Sequence, residues 1–249
     1  MRQYRGMQTS VAITGAASGL GRVIATELLA RGHSVILLDR DGEEAQVTGS
    51  ALSVQFGLHV PTVVADLSSV AGIHSAADML IERSDVGALV NNAGGWLPGD
   101  QYPDVDPDTW LSAITLNLVA PMLLTHLLWP ILSAASGAVV SIGSSGGAGD
   151  DPYGSPEYGA AKAGIRRFTT SLGSRTDVRV MAVIPGWIGL DRAHQEWAAL
   201  SPERQREVGP LIPPDAIARS VTRLLDHGRP GEVVEMLHKV EEIRTVARE

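Results

Sequence analysis

The chain has 249 residues, 44% of them hydrophobic, which is enough for a sizeable core and fits one α/β domain. It contains no cysteine and no pair of histidines at i,i+4, so a disulfide framework, a cysteine metal site and a zinc helix are all excluded, and no metal is expected. A formal net charge of −8 with no long basic run argues against nucleic acid as a partner.

Residues 1–8 read as a loose tail, and residues 9–249 as a single domain. The tail carries charge with no apolar run behind it, so it is not a secretory signal, and a cytoplasmic protein is expected. Met7 offers a second start. The first strand is expected at 10–14, the apolar run Ser10-Val11-Ala12-Ile13-Thr14. It feeds Gly15-Ala16-Ala17-Ser18-Gly19-Leu20-Gly21, and then Val23, Ile24, Leu28 and Leu29 recur at helical spacing up to Arg31-Gly32. Strand, glycine turn and helix make a phosphate site, because glycines let a pyrophosphate approach the free N–H groups at a helix N-terminus. The spacing G-x-x-x-G-x-G is one residue longer at its first gap than the common dinucleotide fingerprint.

A second strand, 34–39, ends in Asp39. A carboxylate there can accept both hydroxyls of an adenosine ribose and repels a 2′-phosphate, whereas Arg40 beside it could hold that phosphate. Further strands are expected near 60–65, 87–91, 138–143, 178–183 and 232–235. Helices are expected near 19–31, 42–56, 69–83, 107–132, 157–173, 191–199 and 214–227. This alternation implies a single doubly wound, mostly parallel sheet with helices on both faces, a Rossmann-like α/β fold. Leu111 to Val140 is the most apolar stretch. Asn117, Pro121, His126 and Pro130 interrupt it, so it reads as a buried helix and a buried strand rather than a membrane span. Gly146 to Gly154, with Asp150-Asp151-Pro152 at its tip, is the most flexible-looking loop.

The helix expected at 157–173 carries the most telling pair. The chain has two lysines, and Lys162 stands one helical turn after Tyr158. A phenol has a pKa of about 10 and is a poor base at neutral pH, and an ammonium beside it favours the phenolate. Lysine suits this task as a compact charge with rotatable donors.

Together these features resemble the short-chain dehydrogenase/reductase family, over about Thr9 to Glu235. Thr14-Gly15-Ala16-Ala17-Ser18-Gly19-Leu20-Gly21 is similar to its cofactor turn, Asp66-Leu67 to its adenine-contacting pair, and Asn91-Asn92-Ala93-Gly94 to its NNAG segment. Tyr158 and Lys162 match YxxxK, and Pro185-Gly186-Trp187-Ile188 matches its PG turn. The resemblance implies four catalytic residues: Ser144, Tyr158, Lys162 and Asn117. It implies cofactor contacts from Gly15, Ser18, Gly19, Leu20, Gly21, Asp39, Asp66, Leu67, Asn92, Ala93, Gly94, Tyr158, Lys162, Pro185, Gly186 and Ile188.

There are departures. Ser144 lies fourteen residues before Tyr158 and Ser145 thirteen, the usual gap, although the context Ser-Ile-Gly-Ser favours Ser144. The family's threonine after the PG turn is Leu190, Met181 stands where Asn is frequent, and Met236-Leu237-His238-Lys239-Val240-Glu241 replaces the usual Asp-Gly-Gly.

The activity implied is hydride transfer between NAD, ahead of NADP, and a secondary alcohol or ketone. A same-scaffold epimerase or dehydratase with bound NAD, and a catalytically silent nucleotide-binding protein, are the alternatives. The segments expected around the reacting atoms bring Trp96, Tyr153, Trp187 and Trp197, and Arg192 is their one basic residue before Ser201. A neutral, apolar, cyclic or aromatic small molecule is the substrate expected. No membrane partner is expected. The long helices, the second rich in Gly159, Ala160, Ala161, Ala163 and Gly164, predict a homodimer or homotetramer.

Overall fold

A computed structural model describes residues 9–96, 99–149, 153–237 and 243–246. The expected tail 1–8, Leu97, the loop tip Asp150-Asp151-Pro152 and His238 to Glu241 lie outside the described residues. The chain runs β1 (Ser10–Thr14), α1 (Gly19–Ala30), β2 (Ser34–Asp39), α2 (Gly42–Phe56), β3 (Thr62–Val64), α3 (Val70–Arg83) and β4 (Val86–Asn91). It continues through α4 (Pro107–Ile114), α5 (Ala120–Ala134), β5 (Ala138–Ile142), α6 (Pro156–Ser171), β6 (Arg179–Pro185), α7 (Asp191–Ala198), α8 (Pro202–Val208), α9 (Pro214–His227), β7 (Val233–Met236) and β8 (Ile243–Val246).

The sheet order is β3-β2-β1-β4-β5-β6-β7-β8. Every pair is parallel except β7 with β8, which is antiparallel. Order reverses between β1 and β4, and the crevice outside the carboxyl ends of strands at such a switch point is where open α/β sheets bind ligands. The strands are apolar on both sides because both faces are covered. Val11, Ile13, Val35 and Leu37 point to one face and pack with Ile24, Leu28, Ile217, Val221 and Leu224 of α1 and α9. Ala12, Ile36 and Leu38 point to the other and pack with Ile73, Leu80, Leu124, Leu128 and Leu132 of α3 and α5. Truncating a fully buried leucine such as Leu128 to alanine costs about 2–5 kcal/mol.

Three features differ from the sequence expectation. The helix expected at 107–132 is a helical run interrupted by a π turn at Thr115–Val119, where the Ala120 N–H reaches back to the Thr115 carbonyl. Pro121 explains the interruption: it has no N–H for the Asn117 carbonyl, so the α register fails there. That run, Pro107–Ala134, has 28 residues and a mean hydropathy of 1.7, long and apolar enough by length and composition to cross a membrane. The interruptions that argued otherwise stay inside one helical rod, whose inner face packs on the sheet. The third difference is two unexpected elements, α8 and β8. α8 is polar and short, with no apolar period to reveal it, but Ser201 caps it by accepting from the Arg204 N–H.

Candidate active site

The turn after β1 is built by glycine geometry. Gly15 and Gly19 have φ of +63 and +51, the left-handed region. A Cβ on Gly21 would lie 2.0 Å from the Gly15 carbonyl oxygen, so α1 starts hard against the turn. Ser18 occupies the N-cap but makes no side-chain cap bond, and no acidic residue stands in the first turn. The first-turn N–H groups are therefore left for an anion. Leu20 is buried beneath. Two hydroxyls hold the turn: Thr48, which motif reading missed, donates to the Ala17 carbonyl at 2.7 Å, and Thr14 Oγ1, at the head of the motif, accepts from the amides of Asn92 and Ala93 at 3.0 and 2.9 Å. Nothing in the sequence around Thr48 signals this role.

Asp39, at the end of β2, accepts from the Ala17 N–H at 2.9 Å and from the Asp41 N–H at 3.1 Å, one bond to each carboxylate oxygen. A carboxylate has about four acceptor sites, so capacity remains for a diol. Asp66, after β3, is held by the Ser68 amide at 2.9 Å, and hydrogen bonding from Ser68, more than the Arg40 charge, pulls its pKa down. Leu67 is buried behind it.

The segment after β4 joins the two halves of the site. The Asn92 side chain donates to the Thr14 and Gly15 carbonyls at 2.9 and 3.0 Å. Gly94 has φ +148, and a Cβ there would stand 2.6 Å from Asn117 Oδ1 and 3.2 Å from Lys162 Nζ. Asn117 is fully buried in the π turn; it accepts from the Gly95 N–H at 2.9 Å and donates to the Gly95 and Ala113 carbonyls.

At the end of β5, Ser144 Oγ accepts from the Gly146 N–H at 3.1 Å, and Ser145 next to it is exposed. Burial pushes the Tyr158 phenol up, while its hydrogen bond with Ser144 draws it down. Ser144, not Ser145, is thus the serine brought to Tyr158. Lys162 Nζ donates to the Ile142 carbonyl at 3.0 Å and lies 5.6 Å from the Tyr158 ring centroid. Burial pushes Lys162 down to about 8. The expected lowering of the phenol pKa by this lysine is not seen: desolvation is the largest cause at both groups, and the phenol sits above its ordinary value. Tyr153 stacks on Tyr158, ring centroids 5.9 Å apart.

The segment after β6 reaches the glycine turn and the segment after β4. The Gly186 N–H donates to the Met236 carbonyl at 2.7 Å, Pro185 is buried, and Ile188 bridges to Ile212. Leu190 Cδ1 stands 3.5 Å from where a Gly19 Cβ would be, so the residue that replaces the family's threonine overlies the glycine turn. Arg192 lies 5.4 Å over the Trp96 ring and pairs with Glu196 at 2.6 Å. Trp197, expected as a cleft wall, donates to the Gly209 carbonyl at 3.0 Å and anchors α7 to the segment after α8. All sixteen residues expected at the cofactor, and the four expected at the chemistry, belong to segments that follow the carboxyl ends of the strands or to helices packed beside them. The uncapped helix, the left-handed glycines and the free acceptors of Asp39 fit a dinucleotide.

A family model described as short chain dehydrogenase matches residues 9–200. Sulfoacetaldehyde reductase 2 of Chromohalobacter salexigens is 37% identical over 187 residues, 72% of this chain and 73% of that one. The human inactive hydroxysteroid dehydrogenase-like protein 1 is 31% identical over 162 residues, 64% of this chain and 49% of that longer one. Among solved structures, the Pseudomonas aeruginosa RhlG/NADP complex superposes with a TM-score of 0.79 at 26% identity, covering 92% of this chain and 94% of that one. The chain belongs to the short chain dehydrogenase family, whose oxidoreductases use a nicotinamide cofactor.

Proposed function

We propose that this member of the short chain dehydrogenase family is an NAD-dependent alcohol dehydrogenase or ketone reductase acting on a neutral secondary alcohol or ketone. The observation that carries it is the Tyr158 phenol meeting Ser144, with Lys162 buried one turn on, beside Gly94 and Asn117. The chemistry that a bound nicotinamide cofactor brings is the hydride. Ser144 orients the substrate oxygen by hydrogen bonding, and Tyr158 passes it a proton in the reductive direction. Burial keeps the phenol protonated at neutral pH, which suits reduction; oxidation needs the phenolate, so its rate rises with pH. Lys162, charged below about 8, would hold the ribose side of the cofactor. Asn117 fixes the Gly94-Gly95 backbone against which this occurs.

NAD is favoured over NADP by Asp39, whose bound and half-buried carboxylate opposes a 2′-phosphate, and by the position of the Arg40 charge, which acts on Asp66. The NADP-bound RhlG relative points the other way. The ratio of kcat/KM for the two cofactors decides, and a preference for NADP overturns this part. A neutral substrate is favoured because Arg192 is already matched by Glu196 and Trp96. Sulfoacetaldehyde reductase 2, whose named substrate is an anion, supplies the competing probe. Reduced-nicotinamide absorbance with a panel of cyclic ketones, sulfonated aldehydes and carboxylated ketones tests both points. Preference for the anionic set refutes the neutral pocket, and no turnover of any carbonyl or alcohol refutes the redox assignment.

A homodimer through α4, α5 and α6 completes the reading. Leu111 and Met122 are 51% and 39% exposed on the first rod. On α6, Gly164 makes room for Leu118 and Gly159 lies beside Gly146 and Tyr153, so part of the small-residue stripe serves the chain itself. Ala160 and Ala163 remain exposed for a partner helix. A monomer in sedimentation at micromolar concentration contradicts this.

A further inference from the structure

Tyr153 sits five residues before Tyr158 and is 44% exposed. Its ring lies parallel to the Tyr158 ring within 26° at a centroid distance of 5.9 Å. The same ring packs against Gly146, where an added Cβ would stand 2.6, 2.7 and 3.0 Å from three of its ring atoms. Gly159 offers further room, since a Cβ there would be 3.7 Å from Tyr153 Cδ1. Gly146 has no left-handed φ, so the glycine there is a matter of space rather than backbone freedom. Its N–H is the group that holds Ser144 Oγ. One ring therefore touches Tyr158 and also packs against the turn that fixes Ser144.

We propose that Tyr153 is a positioning residue, a plate that holds the Tyr158 phenol against Ser144 and acts through its ring rather than its hydroxyl. The proposal rests on the reading of Tyr158 as the proton carrier. Aromatic rings at this separation attract one another beyond their buried area, which biases a phenol between orientations. The plate also shields the phenol from water, and burial is the main cause of its raised pKa.

Three variants test this: Tyr153→Phe, Tyr153→Ala and Gly146→Ala. The last leaves Tyr153 in place but puts a methyl group where its ring lies, so it guards against a folding defect in Tyr153→Ala. Two readouts are used. One is the pH profile of kcat with the best ketone. The other is the ultraviolet titration of tyrosinate in the free protein, with Tyr158→Phe in each background as the blank. Tyr153→Phe should stay within threefold of wild type in kcat. Tyr153→Ala and Gly146→Ala should each lose tenfold or more, with the KM for cofactor unchanged and the Tyr158 titration moved to lower pH. An unchanged titration in both of these variants overturns the proposal. So does a Tyr153→Phe loss equal to that of Tyr153→Ala, because the hydroxyl would then be the active part. If wild type reduces no ketone, the proposed function fails, and the free-protein titration still decides the plate.

Discussion

The two ends of the cleft are built in different ways. The dinucleotide end is a lattice of backbone constraints: left-handed Gly15 and Gly19, Gly21 against the Gly15 carbonyl, and Thr14, Thr48, Asp39 and Asn92 each bonded to main-chain groups. The end proposed for substrate is an arrangement of side-chain surfaces: Tyr153 on Tyr158 and Arg192 on Trp96. Backbone constraints accept one residue type per position. Side-chain surfaces accept many, so specificity can vary there while the cofactor end stays fixed.

The largest expected effect separates chemistry from binding. Tyr158→Phe keeps the ring and removes the proton, so kcat should fall about 10³-fold, within the usual range for general acid–base catalysis. Cofactor affinity, which depends on the other end of the cleft, should remain. Single-turnover rates and cofactor titration check this, and substantial turnover in the variant would refute the mechanism. In wild type, the oxidation rate should climb through the alkaline range as the raised phenol ionises, and the reduction rate should fall there.

Next is a break in the backbone lattice. In Gly21→Ala the new methyl group meets a carbonyl oxygen and the Ala16 Cα at 2.8 Å, atoms that no rotamer change can move. A loss of about 3 kcal/mol or more is expected by denaturant unfolding, at the upper end for overpacking. An alanine tolerated at wild-type stability would mean that the turn is not held as described.

Lys162 belongs to both ends, and its substitution should trade activity for stability. Its pKa is about 8 in the fold against an ordinary 10.5. Below pH 8 the ammonium is charged in both folded and unfolded states, and the full cost of burying it is felt. Between these values only the unfolded chain holds the proton, so this group makes stability rise with pH. Lys162→Met should abolish turnover yet gain stability at pH 7, about 3 kcal/mol at most and less by what the lost Ile142 hydrogen bond contributed. The gain should fade towards pH 10.5. A gain independent of pH would show that the lysine is not buried as a charge.

The same contrast explains what the sequence disclosed. Gly15, Gly19, Gly21, Asp39, Asn92, Gly94, Tyr158 and Lys162 were legible because each answers a requirement of backbone shape, charge or proton transfer. The sheet was legible from apolar runs separated by helical periods. The π turn was not: Pro121 was visible, but its effect depends on a carbonyl four residues back and on Asn117 supplying other bonds. Thr48 was not legible because its partner, the Ala17 carbonyl, lies 31 residues away. The anchoring role of Trp197 was not legible, because its Gly209 bond appears only in three dimensions.

The smallest expected effect concerns the start of α7. Leu190 overlies Gly19 and Arg192 rests on Trp96, so this stretch touches both the glycine turn and the segment after β4, where the Gly95 N–H bonds Asn117. A cation–π contact at an exposed site is worth about 0.5–1 kcal/mol. If that contact holds the start of α7 over a bound cofactor, Arg192→Gln and Trp96→Leu should each release reduced cofactor roughly two- to five-fold faster. Stopped-flow fluorescence measures the rate. The double variant should be no faster than either single one, because both remove the same contact. The Arg192–Glu196 pair gives the control: it is exposed and one turn apart on a helix, so Glu196→Gln should change the rate by less than twofold. Independent, multiplying effects of the Arg192 and Trp96 variants would separate the two residues and refute a shared contact.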